Sequence, residues 1–355
     1  MRRALPWAFA SSLLALAVTG CSGEPAQTVG NDTELDTPHC VPLAPTCDAT
    51  LPDLGEARGF RHTSSKLTAA LGSPTHRGRD MFYNPGDDIW VMGKLAYGLS
   101  DKDLEDEEVD IYLERDCGDA WEYVDTVLTT DDGDHETVEG VADTGGRVYF
   151  EVPKELDLGL GRHRFELVVA GDLTHVPVYV DIVPPRTPII VSDVDGTLTS
   201  SESAEFGALL TGTLPKANPG AAEVLTALAD QGYRIMYVTA RAEGLMTRTR
   251  EFLDERGFPP GLVHTSLTPL GLTGDAAAKY KTGELAMLAS HGLVPEWGFG
   301  NRDSDAQTYT SSDVEGDHCI LYQWDDPGLG CRRVDDYTSL LPEIEDAGAA
   351  CIPAD

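Results

Sequence analysis

Apolar and polar residues alternate at Val109-Asp110-Ile111-Tyr112-Leu113, a period of two that suits a strand with one face in a core and one in water. Runs rich in aliphatic and aromatic residues recur at 88–95, 123–128, 147–152, 162–170 and 176–182, with turn signals such as Asp131-Asp132-Gly133 and Gly145-Gly146 between them. Short strands at this spacing predict an all-β, immunoglobulin-like sandwich over residues 76–185, closed by Pro184-Pro185. The period then changes. Pro188-Ile189-Ile190-Val191-Ser192 is apolar on both faces, as a strand inside a parallel sheet must be. Asn218 reads as a helix N-cap with Pro219 at the first helical position, Ala221, Val224, Leu225 and Leu228 form an apolar stripe, and Gly232 ends the helix. A strand is expected at 233–238, a helix after Arg241, a helix opened by Tyr280-Lys281, strands at 297–299 and 319–322, and a terminal helix over 337–347. Strands alternating with helices predict an α/β domain over residues 186–355, its parallel sheet covered on both faces.

The N-terminus carries a different pattern. Arg2 and Arg3 precede an apolar run at 7–18, too short to span a bilayer as a helix. Val18-Thr19-Gly20-Cys21 resembles the cleavage box of bacterial lipoproteins. That resemblance implies a signal peptide over residues 1–20, acylation of the Cys21 thiol, and a lipid anchor in the cell envelope of a bacterium. Ser22 favours the outer membrane by the sorting habit of such proteins. Residues 21–75 read as a tether, rich in Pro, Thr, Gly and Asp up to about residue 58.

Cysteine usage fits an oxidising compartment. Besides Cys21 there are Cys40, Cys47, Cys117, Cys319, Cys331 and Cys351, enough for up to three disulfides. Cys40 and Cys47 are the easiest pair to propose. No CxxC occurs and the histidines are scattered, which argues against a zinc site. The formal net charge is −34, from 26 Lys+Arg against 60 Asp+Glu. Losing Arg2 and Arg3 with the signal peptide takes it to about −36. Such a chain repels nucleic acid, which is excluded as a partner, and docks poorly on strongly anionic membranes. The acidic run Leu104-Glu105-Asp106-Glu107-Glu108 reads as a solvated loop rather than a calcium site.

The decisive chemistry lies at Asp193-Val194-Asp195-Gly196-Thr197-Leu198-Thr199, directly after the buried strand. The carboxyl end of a strand is where open α/β sheets place ligands. One carboxylate there can attack phosphorus and its neighbour can protonate the leaving oxygen. Gly196 permits the turn that lets both face one way. This motif resembles the haloacid dehalogenase superfamily, and later segments fit it in order. These are Tyr237-Val238-Thr239-Ala240-Arg241, Tyr280-Lys281, and Gly298-Phe299-Gly300-Asn301-Arg302-Asp303-Ser304-Asp305-Ala306. The set narrows to a resemblance to the lipin/LNS2 catalytic domain, whose members include Mg²⁺-dependent phosphatidate phosphatases; Asn301 within GNRxxDA is characteristic of that group.

The preceding region is similar to part of the membrane-associated phosphatidylinositol transfer proteins. It carries Asn84-Pro85-Gly86-Asp87, Gly93-Lys94-Leu95-Ala96-Tyr97-Gly98, Asp101-Lys102-Asp103-Leu104 and Glu107-Glu108-Val109-Asp110-Ile111-Tyr112-Leu113. The resemblance covers roughly residues 78–345, and the chain before it is too short for the lipid-transfer domain. In those transfer proteins the aspartate pair is degraded and the domain is thought to bind phosphatidic acid. Here Asp193 and Asp195 are both present, which favours catalysis.

The resemblance implies the roles. Asp193 would be the nucleophile and Asp195 the general acid and base. Thr239 and Lys281 would bind phosphate. Asp193, the Asp195 backbone carbonyl, Asn301 and Asp305 would hold Mg²⁺, whose taste for a few oxygen ligands plus water and phosphate suits that set. Arg241, Arg302 and Asp303 stand beside the motifs without a firm role. The spacing from Asp193 to Thr239 and on to Lys281 leaves no room for a large cap, and an open site suits a bulky substrate. Phe206, Leu209 and Leu210 could touch acyl chains, although packing in the core is the plainer reading. Three function classes follow. They are a phosphatidate-type lipid phosphatase, a phosphatase for a non-lipid phosphoester, and a phosphatidic-acid-binding module without turnover.

Overall fold

The computed structural model describes residues 39–40, 44–200 and 214–352. Cys21 and the apolar residues Phe206, Leu209 and Leu210 lie outside them. The six expected strands of the first half form with small shifts of their ends, and two unexpected ones precede them: β1 Arg77–Arg79 and β2 Met81–Tyr83, then β3 Trp90–Lys94, β4 Glu108–Glu114, β5 Trp121–Leu128, β6 Arg147–Glu151, β7 Gly161–Val169 and β8 His175–Ile182. They make a five-stranded sheet in the order β2-β8-β7-β4-β5 and a three-stranded sheet in the order β1-β3-β6. Only β2 with β8 runs parallel within these two sheets. Ile111, Leu113, Phe165, Leu167, Val178 and Val180 of one sheet share a buried core with Val91, Met92, Val148 and Phe150 of the other, so the two sheets form a sandwich.

Strands β1 and β2 were not legible as strands. Arg77-Gly78-Arg79-Asp80 is charged yet buried, because its side chains meet carboxylates and an arginine of the second half. The tether reading also needs correction over 44–75. Cys47 is disulfide-bonded to Cys117, not to Cys40, and the backbone carbonyls of Cys47 and Ala49 accept from the Arg164 guanidinium. Arg58 pairs with Glu108 and Asp110, and residues Thr63–Leu71 form helix α1. The acidic loop is structural. Glu107 is buried and accepts the backbone N–H groups of Arg61 and His62 at the start of α1, at 2.7 and 2.9 Å.

The second half is a six-stranded, wholly parallel sheet. Its strands are β9 Ile189–Ser192, β10 Arg234–Thr239, β11 Leu262–Thr265, β12 Pro295–Gly300, β13 Cys319–Tyr322 and β14 Arg332–Val334, in the order β11-β10-β9-β12-β13-β14. Alternate residues serve two cores. Ile190, Ile235 and Tyr237 pack under α2 Ala221–Asp230 and α3 Met246–Glu255, while Val191, Met236 and Val238 pack under α4 Gly274–Ser290 and α5 Asp303–Thr310. That is why these strands read as unbroken apolar runs. A second disulfide, Cys319–Cys331, ties β13 to the turn before β14. Tyr337–Leu340 and α6 Leu341–Ala347 close the fold as expected. The described residues fall in one compact unit. Among the described residues no helix is long and apolar enough to cross a membrane.

Two local readings change. Helix α2 starts at Ala221 after Gly220, so Asn218 is not its N-cap. Helix α4 begins at Gly274, which puts Lys281 in its middle rather than at its opening. Lys281 and Glu284 are buried on the face of α4 where an apolar stripe would stand, and this hid the helix's first turns from the hydrophobic pattern.

Candidate active site

The chain runs from β9 outward to β11 and then returns to β12 on the other side of β9. Loops from β9 and β12 diverge at that reversal and leave a crevice at the carboxyl end of the sheet. All the motif residues except Lys281 follow strands that end there.

Asp193 is held at this edge. Its backbone N–H donates to the Phe299 carbonyl of β12 at 2.9 Å. Gly196 then takes φ +77°, in the left-handed region that side chains resist. The turn lets Asp193 and Asp195 border one cleft of about 390 Å³, shared with Arg241, Lys281, Arg302 and the start of α4. The Asn218 side-chain amide donates to the carbonyls of Thr197 at 2.8 Å, Thr199 at 3.0 Å and Gly196 at 3.2 Å. Tyr337 donates its hydroxyl to the Thr197 carbonyl at 3.0 Å. A buried turn with its carbonyls satisfied in this way is rigid.

Lys281 gathers two carboxylates. Its Nζ lies 2.6 Å from Asp193 Oδ1 and 2.6 Å from Asp305 Oδ1, with all three side chains buried. The other Asp193 oxygen accepts from the Thr197 hydroxyl at 3.0 Å, which also lies 3.2 Å from Asn301 Oδ1. Asp305 Oδ2 accepts the Asn301 backbone N–H at 3.0 Å. This tight return requires glycine at 300, since a Cβ there would stand 2.3 Å from Asp305 Cβ. Burial pushes the Asp193 carboxyl up to about 7. Lys281 opposes the rise, and the nearby Asp305 and Asp195 carboxylates add to it. One ammonium does not offset the burial of this cluster of acids.

Asp195 is placed differently. Its side chain is 34% exposed and meets Arg241, with Nη2 2.7 Å from Oδ1 and Nε 2.9 Å from Oδ2. The Thr239 hydroxyl donates to Asp195 Oδ2 at 3.0 Å and accepts the Arg241 N–H at 3.2 Å. Arg241 is buried and fixed at its other end by Thr249 at 3.0 Å. Sequence reasoning underrated Arg241, and it gave no role to Thr197 and only a capping role to Asn218. Their signal was position, immediately beside or opposite the motifs. Asp303 accepts from the Trp324 indole at 2.8 Å, whereas Arg302 lines the cleft.

The donor set suits a hard cation. Asp193, Asn301 and Asp305 offer only oxygen side-chain acceptors, and the Thr197 hydroxyl bridges the first two. Among the described residues no three Asp, Glu, His or Cys side chains converge around a metal position. The fit therefore relies on the Asn301 amide oxygen and a backbone carbonyl beside the carboxylates. That is acceptable to Mg²⁺, which takes few protein ligands and keeps water.

Comparison with known proteins bears on this site. Residues 190–321 match the family model described as PITM 1-3, LNS2 domain. Protein retinal degeneration B of Drosophila melanogaster is 29% identical over 268 residues, which is 74% of this chain and 19% of that protein. This match is longer than the α/β half and so reaches into the β-sandwich. Membrane-associated phosphatidylinositol transfer protein 2 of Homo sapiens is 30% identical over 190 residues, 53% of this chain and 13% of that protein. Membrane-associated phosphatidylinositol transfer protein 3 of Homo sapiens is 28% identical over 193 residues, 54% of this chain and 18% of that protein. The chain thus spans less than a fifth of the length of these relatives. The solved structure of phosphoserine phosphatase from T. onnurineus is 15% identical with a TM-score of 0.30, covering 45% of this chain and 96% of that one, a likeness too slight to carry an argument. The α/β half of this chain is similar to an LNS2 domain.

Proposed function

We propose that the chain is a Mg²⁺-dependent phosphomonoester hydrolase whose substrate is phosphatidate or a related lipid. The observation that carries the reading is the buried Asp193–Lys281–Asp305 cluster at the reversal point of the sheet, with Asp195 on the same cleft. An Asp193 oxygen attacks phosphorus while the bond to the lipid oxygen breaks, giving an aspartyl-phosphate. Asp195 supplies the proton that the departing alkoxide takes up. Water then attacks the aspartyl-phosphate, Asp195 takes a proton from it, and inorganic phosphate leaves with Asp193 regenerated. Lys281 holds Asp193 and offsets negative charge as the phosphoryl group enters. Mg²⁺, held by Asp193, Asn301, Asp305 and the Asp195 carbonyl, would neutralise charge on the transferring phosphoryl oxygens.

The lipid assignment draws on the two human relatives, whose names describe phosphatidylinositol transfer, and on the open cleft. Exposed Leu270 stands on its rim, where an acyl chain could rest. A lipid anchor at Cys21 in a bacterial cell envelope would bring this cleft near its substrate. A second reading, a phosphatidate-binding module without turnover, is favoured by one feature: Asp195 is held by Arg241 and must leave that pair to deliver a proton. Phosphate release from phosphatidate, from other phospholipids and from soluble phosphoesters separates the two. Turnover that stops with chelator and returns with Mg²⁺ but not Ca²⁺ supports hydrolysis. Saturable phosphatidate binding without phosphate release supports the module.

A further inference from the structure

The β-sandwich meets the α/β half through buried charge as well as apolar packing, in which Phe82 joins the core under α4 and Met287 of α4 packs against the sandwich core. Arg79 of β1 pairs with Glu284 at 2.7 Å, and Glu284 also meets His264 Nδ1 at 2.5 Å. Arg77 and Arg147 both clasp Glu243, at 3.1 and 2.9 Å. Asp80 accepts from Arg250 at 2.7 Å and from the Val263 N–H at 3.0 Å. All of these side chains are buried or nearly so. Burial works against the charge on Glu284, yet Arg79 and then His264 outweigh it and hold the carboxyl down to about 2.

The positions of the two clasped glutamates matter. Glu284 stands three residues after Lys281, one turn along the buried face of α4. Glu243 stands two residues after Arg241 and starts the short helix Glu243–Leu245. The sandwich thus grips two of the segments that carry cations of the cleft, Arg241 and Lys281, and no described residue of the sandwich lines the cleft itself. Apolar packing alone would leave these segments some freedom to slide. A charged pair buried at 2.7 Å has one geometry and loses heavily when moved from it.

We propose that the sandwich is part of the catalytic apparatus, with Arg79, Arg77 and Arg147 as positioning residues that set Lys281 and Arg241 through Glu284 and Glu243. This rests on the phosphatase reading of the cleft. Small displacements of catalytic groups cost far more rate than binding.

The test uses the full chain with Arg79→Met, Arg79→Lys and, as a control, Arg58→Met. The control removes a sandwich ion pair remote from the α/β half. Hydrolysis of p-nitrophenyl phosphate with Mg²⁺, thermal unfolding, and calorimetric titration with inorganic phosphate are measured on each. Arg79→Met should lower kcat by about 10- to 100-fold with KM changed less than about twofold, at temperatures well below its unfolding midpoint. Arg79→Lys should recover most of the loss, and Arg58→Met should keep wild-type kcat. If Arg79→Met does not fold, Glu284→Gln, which keeps the shape and removes the charge, carries the same test. A folded variant with wild-type kcat overturns the proposal, as does an equal loss in Arg58→Met. Absence of hydrolysis by the wild type defeats the phosphatase reading instead. Phosphate titration then decides, because in a cleft without turnover the positioned cations act on bound phosphate and not on a transition state: about tenfold weaker binding in Arg79→Met than in Arg58→Met upholds positioning, and equal binding overturns it.

Discussion

Asp193 pairs two properties that pull against each other. Burial among acids raises its carboxyl to about 7, above the ordinary 3.8, so the folded protein holds a proton there more tightly than the unfolded chain. For a raised acid, ionisation weakens the fold as pH rises through the two values, and the penalty is complete above about 7. Asp193→Asn removes it. In chelator at about pH 8 this variant should therefore unfold a few degrees higher than wild type, although it lacks the nucleophile. A lower midpoint would show that Lys281 holds the ionised form more strongly than the burial disfavours it. Asn218 is the opposite case. It serves three carbonyls of the turn, so Asn218→Ala leaves buried acceptors unpaired and should cost about 1–3 kcal/mol in chemical denaturation, with reduced turnover.

At the scale of elements, the return from β12 to α5 is the tightest construction in the site. Gly300→Ala would drive a methyl into Asp305 Cβ and must displace a side chain of the proposed metal set. It should lower activity at least about 100-fold and reduce the affinity for Mg²⁺ read by titration. Unchanged Mg²⁺ affinity would remove Asp305 from the metal set. This return was readable from sequence as a glycine-rich strand end with Asn301 and Asp305 four apart. So was the strand–turn carrying Asp193, because a wholly apolar run that ends in two acids and a glycine places its carboxylates at the edge of a buried sheet. The first turns of α4 and strands β1 and β11 were not readable. Their buried positions hold Lys281, Glu284, Arg77, Arg79 and His264, and hydrophobic periodicity does not register a face buried by ion pairs. The Arg241–Asp195 pair was hidden for a related reason, since its partners are 46 residues apart and meet only through the sheet order.

Across the whole molecule, the charge interface makes stability a function of pH. Glu284 is held near 2 against an ordinary 4.5. A depressed acid contributes stability that is complete above 4.5, shrinks as pH falls toward 2 and is gone below it. Glu243 is lowered too, its burial overcome by Arg77 and Arg147. The folded chain should lose stability steeply in this window, and Glu284→Gln should flatten the loss while starting from a less stable protein at about pH 7. Denaturant midpoints from about pH 2 to 7 give both quantities, and parallel curves for the two proteins would contradict the assignment.

The phosphatase reading itself is tested most directly by phosphate release from phosphatidate in mixed micelles, comparing wild type with Asp193→Asn at saturating Mg²⁺ and again in excess chelator. The predicted result is turnover by wild type with Mg²⁺, none in chelator, and a loss of several orders of magnitude in a folded Asp193→Asn variant. Equal release by the variant, or undiminished release in chelator, would contradict it.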